Sequence, residues 1–272
     1  MTTPRLGLAL GCGSARGWAH IGVIRALEER GLRPQVVVGA SVGALVAASH
    51  ASARLDALEN WVRALTQREV WRLVDTKFRG GGIMTGNRLM DAIETSIGDP
   101  LIEQLDLGFA AVAADLHTGE EVWIREGPVM AAVRASSGLP GLFAPTWYLD
   151  RWLIDGGVVN PLPVSVCRAL GADVVIAVDL SRPVAQGDLG TLRRNHPSLL
   201  ESMSNAVNIM QDSITRSRLL VEAADLVLRP QLNDFQLMDF HRAAEAIESG
   251  YRHVVESDAR LEPILAQLRS PG

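Results

Sequence analysis

Three short stretches of this chain carry residue types that can do nucleophilic chemistry. The first is Gly39-Ala40-Ser41-Val42-Gly43, preceded by the apolar run Val36-Val37-Val38 and followed by Ala44-Leu45-Val46-Ala47-Ala48. A strand, a sharp turn and a helix in that order present a serine hydroxyl at the turn's tip, beside the N–H groups that open the helix. Glycines at both flanks suit a turn too tight for a Cβ. The plain alternative is a strand–helix junction without chemistry, in a chain that has 25 glycines.

The second stretch is Asp155-Gly156-Gly157, a carboxylate that ends the apolar run Trp152-Leu153-Ile154. The two glycines leave it unshielded, and an Asp-Gly pair also reads as an ordinary turn. The third is Gly11-Cys12-Gly13-Ser14-Ala15-Arg16-Gly17. A dinucleotide loop has similar glycines, but it needs an acidic residue at the tip of the second strand to hold a ribose. Gly39-Ala40-Ser41 stands there instead. The other reading is an oxyanion hole, since successive backbone N–H groups at a helix start can stabilise a tetrahedral oxyanion. A turn without chemistry is the third possibility. Cys12 is read first as an inert small filler; the alternative is a reactive thiol, since a nearby helix N-terminus can lower a thiol's pKa.

Histidine is not expected to join the chemistry. A hydrolase triad in the order serine, acid, histidine needs a histidine after Asp155. His196 precedes Pro197 in a loop, and His241 and His253 fall in the C-terminal helical region. His20 is nearest the glycine loop and could steady it.

The elements that position these residues follow from periodicity. Arg5 to Leu10 alternates and reads as a strand, and a helix runs from the glycine loop to about Arg30, with Gly31 as its C-cap. Residues 5–50 therefore read β-loop-α-β-elbow-α, the start of a parallel α/β fold. Leu55, Leu58, Val62 and Leu65 place a helix over Arg54 to Asp75, with Trp61 and Trp71 as packing residues. Phe78, Ile83 and Met84 flank three glycines and suggest a loop with an apolar rim. A helix runs from Asn87 to Ile97, and a hairpin from Phe109 to Arg125 turns at His117-Thr118-Gly119. A helix from Val129 to Ala135 leads to a turn-rich stretch, 138–145, expected to run over the site as a loop. A second hairpin, Thr146 to Ile154, has Asp150-Arg151 at its tip. Ala172 to Leu180 is a buried strand, 181–197 a loop and Asp225 to Leu228 a short strand. From Ser198 to Val221, Leu200, Met203, Val207, Met210 and Ile214 recur at alternating three and four. A core-facing helix is the preferred reading, and a homodimer seam is the alternative. The tail from Met238 is helical.

The 272 residues are 47% hydrophobic and 21% charged, enough for one domain over 1–272 with the helical segment 198–272 packed on its core. A net charge of −5 argues against nucleic acid as a partner and gives no general attraction to anionic membranes. The two cysteines, Cys12 and Cys167, have no metal-ligand spacing and suit a reducing cytosol. Neither a signal peptide nor an apolar run of about 18 residues is visible. The expected location is the cytoplasm, with at most weak peripheral contact at the inner face of the membrane.

Taken together, these blocks resemble the bacterial patatin-like phospholipases of the neuropathy-target-esterase type. The resemblance rests on the glycine loop with Arg16-Gly17-Trp18-Ala19-His20-Ile21-Gly22, the elbow around Ser41, and the block from Arg134-Ala135-Ser136 through Pro140 and Pro145. It also rests on Asp155-Gly156-Gly157 with Asn160-Pro161, and on Asp239-Phe240-His241-Arg242-Ala243. It implies a three-layer α/β/α patatin-like fold with a mostly parallel central sheet, and hydrolysis of acyl esters by a Ser–Asp dyad without metal or cofactor. By this likeness Ser41 is the nucleophile, Asp155 the base, Cys12, Gly13 and Ser14 the oxyanion loop, and Arg16 that loop's basic residue. Cys12 and Ser14 depart from the glycines common in the family, and their side chains would narrow the approach. The implied substrates are lysophospholipids, phospholipids or simpler acyl esters. Phe78, Ile83, Met84, Leu139 and Phe143 are the candidate lining of the acyl channel. An acyltransferase or peptidase with the same dyad, and a regulatory lipid-binding protein with a vestigial site, are the alternatives.

Overall fold

The computed structural model describes residues 3–75, 82–181, 199–232 and 234–269. The expected rim residue Phe78, most of the expected loop over 181–197 and His196 lie outside them, as does the side chain of Ile83.

The first half alternates strand and helix: β1 (Leu6–Leu10), α1 (Ala19–Glu29), β2 (Val36–Ala40), α2 (Val42–Ala51), α3 (Leu55–Ala64) and α4 (Gln67–Leu73). Then follow β3 (Gly82–Met84), α5 (Asn87–Ile97), β4 (Gly108–Asp115), β5 (Glu121–Ile124), α6 (Val129–Ser136), β6 (Gly141–Phe143), β7 (Thr146–Tyr148) and β8 (Arg151–Asp155). The chain continues through α7 (Val164–Ala169), β9 (Val174–Val178), α8 (Leu199–Leu219), β10 (Leu226–Leu228), α9 (Ala243–Glu256) and α10 (Asp258–Arg269). The main sheet has the order β10-β9-β1-β2-β4-β8-β7, with β5 also on β4. β10, β9, β1, β2 and β4 are parallel, and β5, β7 and β8 are antiparallel to their neighbours.

The alternation of β1 divides two cores. Leu6, Leu8 and Leu10 join the larger one, beneath α1, α2, α6 and α9, while Ala9 faces the smaller one under α7. A strand covered on both faces is apolar throughout, as β1, β2 and β9 are. Helices thus flank both faces of a mostly parallel sheet.

Four local expectations are corrected. The helix expected over Arg54 to Asp75 is two helices, broken at Leu65 and Thr66. Thr66 and Glu69 form a reciprocal capping box that starts α4. Trp71 is 65% exposed rather than packed. The end of the expected glycine-rich loop is β3, which pairs in parallel with β6 out of the stretch 138–145. Leu149 and Asp150, both at positive φ, form the tip of the second hairpin, one residue before the expected place.

α9 packs backbone to backbone on α1. A Cβ on Gly22 would overlap the Ile247 carbonyl oxygen, and one on Gly250 would overlap that of Ala19. This closeness brings the segment before α9 over the glycine loop. Ser14 Oγ donates to Leu237 O at 2.7 Å, and Trp18 Nε1 donates to Phe240 O at 3.1 Å.

Candidate active site

β4 is the ruler on which the serine and the aspartate meet. Ala40, the last residue of β2, pairs with Val112, and Asp155, the last residue of β8, pairs with the next residue, Ala113. β2 and β8 run in opposite directions along β4, so their C-terminal ends converge there. The block Arg134 to Pro145 locks both ends. Ser41 N–H donates to Ser136 Oγ at 3.0 Å, and Ser136 Oγ donates to Val112 O at 2.5 Å. Asp155 N–H donates to Gly138 O at 3.0 Å.

Ser41 sits at φ 57° and ψ −131° between β2 and α2. That conformation is rare for a residue with a side chain and is held only where the surroundings fix it. Here the surroundings are tight. A Cβ on Gly39 would overlap the Gly43 carbonyl, and one on Gly43 would overlap Leu10 O. Both flanks must therefore be glycine, and the elbow rests directly on the end of β1.

Asp155 is 1% exposed, contrary to the expected unshielded turn. It is the last strand residue of β8 inside the sheet, and Cys12 and α8 close over it. Its Oδ1 accepts from Gly157 N–H at 2.8 Å and from Cys12 Sγ at 3.7 Å. Its buried Oδ2 has no hydrogen bond of regular geometry. Burial raises the carboxyl from 3.8 to about 6, against the lowering effects of the Ser41 hydroxyl, the Gly157 N–H and the Cys12 thiol. A carboxylate whose pKa is brought this near neutrality is a better base than an ordinary aspartate.

The glycine loop passes beside this pair. Gly11 N–H donates to Val178 O at 3.0 Å, and Cys12 N–H to Pro161 O at 2.9 Å. The Cys12 amide is thereby already occupied. Among the described residues, the N–H groups of Gly13 and Ser14 have no partner. Ser14 is at φ 48°. His20, fully buried, donates from Nε2 to Gly11 O at 2.8 Å and holds the loop's start. Burial lowers its pKa to about 4, so the ring is neutral. Among the described residues no histidine lines the cleft.

For Cys12 the alternative reading, a lowered thiol pKa, is overturned, and the inert filler stands. Burial first, and then the neighbouring Asp155, raise the thiol well above its ordinary value. The helix-start effect cannot offset the loss of water around a thiol that is 5% exposed. Arg16, 8% exposed, lines the cleft, and its Nη2 donates to Asn208 Oδ1 of α8 at 2.7 Å.

The cleft over Ser41 and Asp155 is largely apolar. Met84, Leu139 and Phe143 line it, as the sequence suggests. Leu45, Trp61, Leu65, Leu89 and Ile93 line it as well, although Trp61 and Leu65 read from their spacing as helix packing. Helical periodicity marks an apolar face but not whether that face meets another helix or a cavity. α8 is the larger surprise. Met210, expected on its inner seam, is 53% exposed, while Gln211 and Thr215 are 8% and 2% exposed. Ser204, Val207, Asn208 and Gln211 face the cleft.

An elbow serine and a buried aspartate thus share one cleft on a helix-flanked, mostly parallel sheet, and comparison with known proteins gives the family. The family model for patatin-like phospholipase matches residues 8–168, and the chain belongs to that family. It is 45% identical over 180 residues to an uncharacterized NTE family protein of Mycobacterium tuberculosis, covering 66% of this chain and 50% of the relative. A second such protein of that organism is 32% identical across 90% of this chain and 45% of its own length. Lysophospholipase NTE1 of Pyricularia oryzae is 29% identical across 98% of this chain and 19% of its own length. The chain spans half the length of these relatives or less. Among solved structures, VipD from Legionella pneumophila has a TM-score of 0.51 at 14% identity, covering 95% of this chain and 67% of that one. That likeness concerns the fold alone.

Proposed function

We propose that this chain is a serine hydrolase that cleaves acyl esters of lysophospholipids and phospholipids through Ser41 and Asp155. The observation that carries the reading is the buried Oδ2 of Asp155, without a regular partner, on a carboxyl whose pKa the Ser41 hydroxyl draws down. Membership of a phospholipase family, a relative named as a lysophospholipase and the apolar cleft lining support it.

In this reading Ser41 Oγ attacks the acyl carbonyl as its proton passes to Asp155 Oδ2. The carbonyl π pair moves to oxygen, where the Gly13 and Ser14 N–H groups and the start of α2 stabilise it. The carbonyl reforms, the bond to the alcohol oxygen breaks, and Asp155 returns its proton to that oxygen. Water then attacks the acyl-serine and gives a proton to Asp155. Collapse frees the fatty acid, and the proton returns to Ser41. His20 takes no proton here; it holds Gly11 and with it the loop's direction.

The test has two readouts. A fluorophosphonate should label Ser41 covalently, located by peptide mass spectrometry. Wild type incubated with a mixed lipid extract should release fatty acid and lyso- or deacylated lipid, and Ser41→Ala should not. Labelling at another residue, or equal products from both proteins, refutes the reading. Acyl transfer to added glycerol in preference to water would assign the same dyad to an acyltransferase.

A further inference from the structure

α8 is amphipathic in the inverted sense. Ile209 and Met210 are 52% and 53% exposed, whereas Gln211, Asp212 and Thr215 are each at most 8% exposed. Ser204, Asn208 and Gln211, at i, i+4 and i+7, share one helix face, and all three line the cleft. A polar stripe turned into a cleft that is otherwise apolar is not explained by packing, since leucines there would bury more apolar surface.

Two of its members have different neighbours. Asn208 Oδ1 accepts from Arg16 at 2.7 Å. The Gln211 carboxamide has no hydrogen-bond partner among the described residues, although the residue is 8% exposed. Its amide atoms are not buried unsatisfied ones; they open onto the cleft, where water or a ligand can bond them. Its position is set by Gly157. A Cβ there would overlap Gln211 Nε2, and it would lie 2.6 Å from Cys12 Sγ and 3.0 Å from Asp155 Oδ1. The amide therefore stands on the Oδ1 side of Asp155, beside the carboxyl whose other oxygen, Oδ2, carries the proton in the proposed reaction.

We propose that Gln211 binds the leaving alcohol, and that the alcohol it fits is a polyol of glycerol type with a free hydroxyl next to the ester oxygen. The inference rests on the hydrolase reading above. A carboxamide offers a neutral donor and a neutral acceptor together, which matches a hydroxyl that must both give and take a hydrogen bond. Ser204 extends the stripe with a second neutral group. The acyl chain has the apolar lining from α2, α5, α6 and β6, including Leu45, Ile93, Val133 and Leu142.

The test compares two esters of one acyl chain, monooctanoylglycerol and 4-nitrophenyl octanoate, which has no hydroxyl on its leaving group. Wild type, Gln211→Met and Gln211→Asn are measured, with rates normalised to the fraction of Ser41 labelled by a fluorophosphonate. Methionine keeps the length and removes the amide; asparagine keeps the amide and withdraws it by a methylene. The ratio of kcat/KM for the glyceryl ester to that for the nitrophenyl ester should fall about tenfold in both variants, the scale of one lost neutral hydrogen bond. A lysophospholipid with a free glycerol hydroxyl should follow the monoglyceride. If wild type turns over both esters and the ratio stays within twofold in both variants, Gln211 does not bind the alcohol. If labelled wild type turns over neither ester nor the lysophospholipid, the hydrolase reading falls and the subsite with it.

Discussion

Replacing Asp155 by asparagine keeps the side chain's shape and removes its charge. Two effects of opposite sign follow from one fact, the burial of the carboxyl at 1% exposure. The carboxyl's pKa is about 6 in the fold and 3.8 in an ordinary setting, a difference of roughly 2.2 units. At 1.36 kcal/mol per unit, this is about 3 kcal/mol. The sign follows from which state binds the proton. The folded pKa is raised, so the folded state gains relative stability below pH 3.8, and that gain is lost as pH rises through about 6. Above pH 6 the wild type holds an ionised carboxylate inside the sheet, and asparagine does not. Asp155→Asn should therefore be more stable than wild type at pH 8 by up to about 3 kcal/mol, or roughly 6–10 °C in Tm. The advantage should shrink to nothing near pH 4. The same variant should lose about 10²–10⁴ in kcat/KM on a short-chain nitrophenyl ester, because an amide cannot take the serine proton. Wild-type kcat/KM should rise with pH through about 6 as the base ionises. Thermal melts of both proteins at pH 4, 6 and 8, beside the ester kinetics, check this. A Tm difference that does not change with pH refutes the assigned burial cost, and an active Asp155→Asn refutes the base.

Cys12 should resist a bulky maleimide at pH 7.5 in the native fold and react once urea unfolds the chain, because burial and Asp155 raise its pKa; rapid native labelling, located by mass spectrometry, would contradict the raised thiol. Ser136→Ala should leave the Ser41 N–H without its 3.0 Å partner, cost about 1–3 kcal/mol in a urea melt and slow fluorophosphonate labelling of Ser41. An unchanged labelling rate would show that the elbow holds itself. Gly22→Ala should push α9 off α1, where its Cβ overlaps Ile247 O, and destabilise the fold by about 1–3 kcal/mol. A Tm equal to wild type would show that the helix pair can slide apart freely.

Local sequence determined much of this molecule. The alternation in β1, the valine run of β2 and the glycines around Ser41 are short-range signals, and each formed the element expected of it. The turn at Thr66 was legible too, since Thr66 and Glu69 spell a capping box, although the continuing apolar period concealed the break. The apolar run before Asp155 and the glycines after it singled that residue out and family likeness gave it the role of base, but the sequence around it suggested an unshielded turn. Only the tertiary structure put it on Ala113 of β4, next to the partner of Ala40, and only burial there brings its carboxyl to about 6. The same holds for Cys12, whose amide was committed by Pro161 and whose thiol was raised by burial and then by Asp155. It holds most of all for α8, whose apolar period predicts an inner seam that includes Met210. In the fold that residue faces out, and Gln211 and Asn208 face the cleft. A helix's periodicity reports how its faces differ; which face turns inward depends on what the rest of the fold leaves for it to cover.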